Sequence, residues 1–498
     1  MTEQKPVKRA IALGGGGPAA GLHIGVLEAL HAAGITFDVW ALSCIGAWVG
    51  IVYNQCDKDK EVEQTYEFFR DGVFRDDESY KRFPINTVFG PDWRSNIDAF
   101  NDFVSEPDNY KDFQWQPYRM MDYVQDSMSI LFDHLPSRDK PFRKLDEGDF
   151  NRWILNQVMA PNPFVRYLTS MMYLSNVTGL SRINYPNSDF MKGIKFERLF
   201  AEAKKNTFIF HNAWNLHDQK LALFSNHPMR KTNKEYVGPI NPSTLCACSA
   251  LPFIEETVEM DGVTYCEGAL VDTVNFESLI EEHGDELDEI WVSRIVDTKQ
   301  IRKPENLHDA LANLCQLFAA TVGEDDVKLF KYHIQYDKPE SGKRWNGTIV
   351  EIHVPAHIDF KWNRRNLDRG RKLGRAAAEE AIAAYRAAGT KTAAENEKVR
   401  FINENPKEDK KARAVLSEYL KRERLDKDRV REAIAKAKPK ARDLSAKMDW
   451  WVDPETGAQV RPNERGGFPE GCIPYAAFAM RNAKVRDAYD KPTSLDDL

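Results

Sequence analysis

Four consecutive glycines, Gly14 to Gly17, constrain this chain more than any other feature of it. They follow a short apolar run, Val7 to Leu13, and precede Ala20 to Ala33, where Leu22, Val26, Leu27 and Leu30 recur at helical spacings. Gly34 then stands where a helix-ending C′ glycine is expected. Phe37 to Leu42 is a second short apolar run, and after Ser43 and Cys44 the stretch Ile45 to Asn54 can be helical again. Strand, helix, strand, helix in this order predicts a parallel sheet covered by helices.

Glycines between a strand and a helix leave backbone N–H groups free to face an anion, with the positive end of the helix dipole behind them. The spacing GGGGPAAG supplies neither the Gly-x-Gly-x-x-Gly dinucleotide fingerprint nor the Lys-Ser/Thr of a P-loop. An oxyanion hole, built from paired backbone donors, is the chemistry that remains. The second signal is LSCIGA, residues 42 to 47, between an apolar run and a helix. A nucleophile elbow puts its reactive residue on a sharp strand-to-helix turn with a small residue two positions later. Gly46 is that small residue, and the reactive position falls on Cys44. A thiol at a helix N-terminus is expected to have a stabilised thiolate; the bland alternative is a small buried hydrophobe. The third signal is Tyr265 to Asp272, in which Glu267-Gly268 is a carboxylate followed by a turn glycine, a pair that is also ordinary turn chemistry.

Together these pieces resemble the patatin-like phospholipase family. Its pattern is a strand, then Gly-Gly-Gly-x-Arg/Lys-Gly, then a Gly-x-Ser-x-Gly-Ala elbow, and much later an Asp-Gly-Gly/Ala turn whose Asp is the base of a Ser-Asp dyad. IALGGGGPAAGLHIGVLEALHAAGITFDVWALSCIGAWVG matches the first two in order and spacing, and SALPFIEETVEMDGVTYCEGALVDTVNF matches the region of the third. The resemblance covers residues 7 to 55 and 243 to 295. It implies a three-layer α/β/α sheet carrying a large aromatic-rich insertion and a charged helical C-terminal extension. The implied division is 1–60 and 241–390 for the two parts of the patatin-like domain, 61–240 for the insertion or lid, and 391–498 for the extension and an irregular tail.

At the chemistry the chain departs from the pattern four times. Cys44 replaces the elbow Ser, Leu42 opens the elbow in place of Gly, Glu267 replaces the Asp, and Ala19-Ala20 replaces the basic residue and Gly of the loop. Ser43 is not the nucleophile, because a one-residue shift would put Ile45 where Gly46 must be. A thiol is far more acidic than a hydroxyl and needs less help from a base, and Glu267 has one methylene more of reach. The resemblance therefore implies a dyad of Cys44 and Glu267, a thioester acyl-enzyme, and Gly15, Gly16 and Gly17 as donors to the oxyanion. The leading expectation is an acyl hydrolase acting on lipid or other apolar esters. Acyl transfer or depolymerisation of an intracellular polyester is the second, and a catalytically silent lipid-binding scaffold the third.

Composition narrows the partners. Lys plus Arg is 69 and Asp plus Glu is 76, a net charge of −7 that argues against nucleic acid. Seven scattered cysteines are unlike a secreted disulfide framework and predict a reducing, cytoplasmic setting, with contact at a membrane or a lipid or polyester granule as a peripheral option. Only Ala10 to Leu13 could serve as the apolar part of a signal peptide, so none is expected. The charge-free runs Ala10 to Leu27 and Val39 to Cys56 are broken by Gly and polar residues and are not expected to span a membrane. Cys246, Cys248 and Cys266 do not complete a zinc pattern, no acidic calcium loop stands out, and no cofactor, metal or oligomerisation signal is read.

From Glu61 to Ile130 aromatic residues rise to 15 in 70, which reads either as a satellite core under long loops or as the wall of an apolar ligand cavity. Met121, Met128, Met171, Met172 and Met191 add adaptable surface to either version. Ser243 to Val292 returns to α/β character, and Leu367 to Ala388 reads as a helix stopped by Gly389. Between Glu395 and Trp450, 17 basic and 12 acidic residues net +5 around an apolar stripe of Val415, Leu416, Tyr419 and Leu420. That pattern suits a solvated helix on the body or a surface docking on anionic headgroups.

Overall fold

The computed structural model describes residues 7–82, 88–91, 93–107, 163–174, 177–183, 189–232, 234–295, 301, 303–336, 344–354, 358–404, 451–452, 459–460 and 473–474. The chain divides into two units, Met1–Glu404 and Asn405–Leu498.

The first unit is organised by a ten-stranded sheet. Its strands in chain order are β1 (Arg9–Leu13), β2 (Val39–Leu42), β3 (Phe208–Asn215), β4 (Lys220–Ser225), β5 (Tyr236–Pro239), β6 (Val258–Met260), β7 (Val263–Glu267), β8 (Glu289–Arg294), β9 (Thr348–His353) and β10 (Arg400–Ile402). Across the sheet the order is β10-β9-β8-β1-β2-β3-β7-β6, with β4 pairing β3 and β5 pairing β4. The six strands from β10 to β3 are parallel, and β7 and β6 continue them antiparallel. The helices packed on this sheet include α1 (Ala20–Ala32), α2 (Ile45–Gln55), α3 (Glu61–Gly72), α4 (Pro242–Cys248), α5 (Phe276–His283), α6 (Leu307–Tyr336) and α7 (Arg364–Ala388).

Alternation along the strands gives the sheet two buried faces. Ile11, Leu13, Trp40 and Leu42 face one core with Leu22 and Val26 of α1, Trp48 and Ile51 of α2, and Ala378 and Ile382 of α7. Ala10, Ala12, Val39 and Ala41 face the other, with Phe276 and Leu279 of α5 and Val327 and Phe330 of α6. This is the α/β/α class that the sequence implies. Among the described residues no helix is long and apolar enough to cross a membrane.

Helices α1 and α7 meet backbone to backbone. A Cβ on Gly25 would lie 2.7 Å from the Arg375 amide nitrogen, and one on Gly370 would lie 3.1 Å from Gly21 Cα. Gly21, Gly25, Gly370 and Gly374 thus let the two helices approach more closely than side chains permit, and Arg371 of α7 then reaches Glu28 of α1 at 2.7 Å. Helix α7 starts at Arg364, three residues before the expected start, because the Asn363 side chain caps it by accepting from the Asn366 N–H.

Strand β3 lies inside the segment 61–240 that the sequence assigns to an insertion, yet it sits in the middle of the sheet beside β2. Of the aromatic stretch, Phe69 and Phe74 are buried in the main core and Phe103 is also buried, whereas Phe100 is exposed. Met191 is buried and Met172 exposed. Phe83, Tyr110, Phe113, Trp115, Tyr118, Tyr123, Met121 and Met128 lie outside the described residues, as do the Val415 to Leu420 stripe and Cys472. In the second unit, where an irregular tail is expected, the two-residue strands Trp451–Val452, Gln459–Val460 and Ile473–Pro474 pair antiparallel, with Trp451–Val452 in the middle.

Candidate active site

Parallel pairing brings the glycine loop and the elbow to one end of the sheet. Leu13, the last residue of β1, pairs with Leu42, the last residue of β2, so both loops leave the sheet side by side at its carboxyl edge, the edge where open α/β sheets bind ligands. Leu42 pairs in turn with His211 of β3, which puts Cys44 two residues further at the level of Ala213. Ala213 is the partner of Glu267 at the end of antiparallel β7. Register alone therefore sets Glu267 level with Cys44 across one intervening strand.

The turn at Cys44 is sharp, with φ 48° and ψ −122°. A non-glycine residue in this region stores on the order of 1–3 kcal/mol of strain and persists only where the surroundings enforce it. Enforcement here is visible. Gly46 packs so tightly on the Leu13 carbonyl that any Cβ would overlap it. The Ser43 N–H donates to the Leu13 carbonyl at 3.0 Å, and the Cys44 N–H donates to Cys248 Sγ at 3.2 Å. Ser43 itself is fully buried, its hydroxyl donating to Asn212 Oδ1 at 3.2 Å and accepting from Asn275 Nδ2 at 2.8 Å. The geometry leaves Ser43 no access to a substrate.

Cys44 is half-buried, and its thiol is hydrogen-bonded to the Glu267 carboxyl. Gly15 lies against both, for a Cβ there would stand 3.2 Å from Cys44 Cβ, 3.3 Å from Ala269 Cβ and 3.9 Å from Glu267 Oε1. A backbone hydrogen bond joins Gly16 to the Cys44 sulfur. Gly17 has φ +53° and faces the Phe360 ring, one residue further from the thiol. Gly268 is held by Asn212, whose Oδ1 would be 2.8 Å from an added Cβ. The structure thus brings Cys44, Glu267, Gly15 and Gly16 together, with Gly17 at their edge.

Electrostatics correct one expectation. The helix N-terminus was expected to stabilise a thiolate; instead the Cys44 thiol is pushed well above its ordinary value, first by desolvation and then by the Glu267 charge, with only the Gly16 bond acting the other way. Glu267 is raised to about 7 by burial, with the Cys44 hydrogen bond opposing the rise. Between them the pair holds a neutral thiol and a carboxylate that changes charge near neutrality. Burial also raises Cys248 and Cys315, and Glu267 contributes to both shifts.

Several neighbours had no signal that the sequence analysis used. His23 of α1 is fully buried between the Gly14 carbonyl and Ser293. Asn212 links Ser43 to the Asp272 carbonyl, and Asp272 and Asp326 clamp the turn after Glu267 by accepting from the N–H groups of Thr273, Val274 and Asn275. The contacts His23–Ser293, Asn212–Ser43, Asn212–Asp272 and Asp326–Thr273 join residues more than fifty positions apart in sequence. Among the described residues no group of three or more His, Cys, Asp or Glu side chains could hold a metal ion.

The patatin-like phospholipase family model matches residues 11–280, more than half of the chain, and spans the loop, the elbow and the Glu267 turn. The chain belongs to the patatin-like phospholipase family. Membership places it in general terms among lipid acyl hydrolases, with a lipid or other ester as substrate. No curated protein matches this patatin-like chain. Among solved structures, VipD from Legionella pneumophila is similar at 13% identity over 76% of this chain and 67% of that one, with a TM-score of 0.32.

Proposed function

We propose that this patatin-like phospholipase hydrolyses carboxylic esters of lipids or similar apolar acids with Cys44 as nucleophile and Glu267 as base. The observation that carries the reading is the double engagement of one sulfur: the thiol donates to Glu267 while the Gly16 backbone also hydrogen-bonds to it. Glu267 takes the thiol proton as sulfur bonds to the acyl carbon, and the oxygen that gains charge is received by N–H groups of Gly15, Gly16 and Gly17. Collapse breaks the ester C–O bond, and the departing alcohol takes the proton back from Glu267. Water, deprotonated by the same carboxylate, then attacks the thioester and returns Cys44 to its thiol. Because the base must be ionised and burial raises it to about 7, turnover rises with pH through about 7.

Apolar surface near the site supports an apolar acyl group. Cys315 of α6 senses the Glu267 charge, and the same helix exposes Leu311, Leu314, Leu317 and Phe318, a face suited to acyl chains or a lipid interface. The six described cysteines are all free, in keeping with a reducing setting such as the cytoplasm.

The test is intact-mass spectrometry after incubation with aryl esters of graded acyl length, followed by peptide mapping. The expected result is an acyl mass on Cys44 that decays with time, absent in Cys44→Ala, whose turnover is abolished while its unfolding transition stays close to wild type. Ester hydrolysis retained by Cys44→Ala overturns the nucleophile. No adduct and no turnover, with Cys44 still open to alkylation, leaves the lipid-binding scaffold as the better description.

A further inference from the structure

The glycine loop has a support that the proposed chemistry does not use. Gly14 continues β1, and its N–H points toward β8, 3.5 Å from the Ser293 carbonyl. Its carbonyl is 2.9 Å from His23 Nε2, and His23 Nδ1 is 3.0 Å from Ser293 Oγ. A carbonyl can only accept, so Nε2 carries the proton, and Nδ1, left with a lone pair, accepts from the Ser293 hydroxyl. This single tautomer satisfies every polar atom of a side chain that is 0% exposed. Burial also holds His23 down at about 4, so the ring stays neutral under ordinary conditions.

A trans peptide fixes the N–H of the next residue antiparallel to the carbonyl. With the Gly14 carbonyl bound by His23 and bordering Gly46, the Gly15 N–H is turned the opposite way. The same alternation is seen one residue earlier, where the Leu13 carbonyl points to β2 and accepts from Ser43. A Cβ added to Gly15 would border Cys44 Cβ and Glu267 Oε1.

We propose that His23 is the positioning residue of the glycine loop: by donating from Nε2 to the Gly14 carbonyl, with Ser293 fixing its tautomer, it aims the Gly15 N–H at the oxygen of the group attacked by Cys44. The inference rests on the Cys44–Glu267 reading for its catalytic consequence, but not for its geometry. His23 does not touch the substrate. Without its hydrogen bond the Gly14–Gly15 peptide is free to rotate and the oxyanion loses a preorganised donor, a loss on the order of a hundredfold or more in rate where such donors have been removed.

Three variants of the full chain test it: His23→Leu, His23→Gln and Ser293→Ala. Gln can place an amide N–H near the Nε2 position, so it is the conservative rescue. Two reactions at the same sulfur are compared. Thioester formation from an aryl ester builds an oxyanion; alkylation by iodoacetamide does not. In His23→Leu, acylation is expected to fall on the order of a hundredfold while alkylation keeps its wild-type rate. His23→Gln regains most of the loss, and Ser293→Ala, which frees the tautomer, falls between. Acylation and alkylation falling together, or neither falling, overturns the proposal.

Hydrogen exchange of the peptide covering Gly14 to Gly17 reads the loop without any turnover. It is expected to quicken in His23→Leu, with core peptides of β1 and β2 unchanged, and unchanged exchange in the loop overturns the proposal. If wild-type protein forms no adduct on Cys44, the proposed chemistry fails, and the exchange comparison alone then decides the role of His23. Should His23→Leu not fold, the rescue by Gln against Ser293→Ala carries the same comparison.

Discussion

Replacing Glu267 with Gln should stabilise the protein above neutral pH and leave it without that gain in acid. The carboxyl is 6% exposed and lies at the end of β7, where burial raises it from 4.5 to about 7. A raised carboxyl means that the folded chain holds its proton more tightly than the unfolded chain. Its contribution is therefore fully present below 4.5 and is lost as pH rises through about 7. Over that gap, at about 1.4 kcal/mol per pH unit, folding is weakened by about 3 kcal/mol at pH 8. Gln cannot ionise and escapes this penalty, while its carbonyl can still accept from the Cys44 thiol. Urea unfolding of wild type and Glu267→Gln at pH 4.5 and pH 8 measures the effect. The expected stability difference grows in favour of the variant by about 3 kcal/mol between the two conditions. Buried His23, His211 and His283, each held down at about 4, weaken both proteins equally in acid and cancel in the comparison. A difference independent of pH would refute the burial argument, and with it the reason for treating Glu267 as a base poised near neutrality.

Two further substitutions address the scaffold. Cys44→Gly relieves the positive φ at the elbow; set against the entropy lost by glycine, it should be more stable than Cys44→Ala by about 1 kcal/mol, with no turnover in either. Equal unfolding midpoints would show that the turn is unstrained. Gly25→Ala drives a methyl into the α7 backbone and should cost at least about 3 kcal/mol or prevent folding. Gly34→Ala, at φ +73° with open space around it, should cost only about 1 kcal/mol; similar losses at the two glycines, read by urea unfolding, would contradict the close helix contact.

What could be read from the sequence was set by short-range geometry. Gly14 to Gly17 and the Cys44-x-Gly46 elbow each sit within a few residues of the turn they specify, and so were legible as a loop and a sharp strand-to-helix turn. Glu267 was legible only through the family pattern, because its partner is more than two hundred residues away. Strand β3 gave no local sign that it would enter the sheet between β2 and β7; strand pairing is decided by what lies alongside, not by the strand itself. His23 gave no sign of its role, since its partner Ser293 is brought to it only by the β1–β8 pairing. The glycine pairs Gly21-x-x-x-Gly25 and Gly370-x-x-x-Gly374 were in plain view, but their meaning needs both helices at once. The thiolate expectation used only the local helix N-terminus, whereas desolvation by the surrounding fold and the charge of Glu267, which depend on distant parts of the chain, both push the same thiol upward.

The energetic character of the site also bears on the choice between an enzyme and a silent scaffold. At this end of the sheet a non-glycine residue is held at a strained φ, a carboxylate is buried at the edge of its ionisation range, and Gly46 and Gly268 leave no room for a side chain. Each feature works against stability or tolerates no substitution, and the fold supplies dedicated supports for them in His23, Cys248, Asn212 and Asn275. A protein that only binds lipid gains nothing from a buried carboxylate aimed at a thiol; an apolar residue in place of Glu267 would fill the same space without the penalty near neutrality. Strain and shifted ionisation gathered on one pair of groups are what acyl transfer to a nucleophile requires. On the proposed chemistry, the exchange of Ser and Asp for Cys44 and Glu267 is a matched change, in which a thiol is paired with a longer carboxylate set level with it by the β2–β3–β7 register.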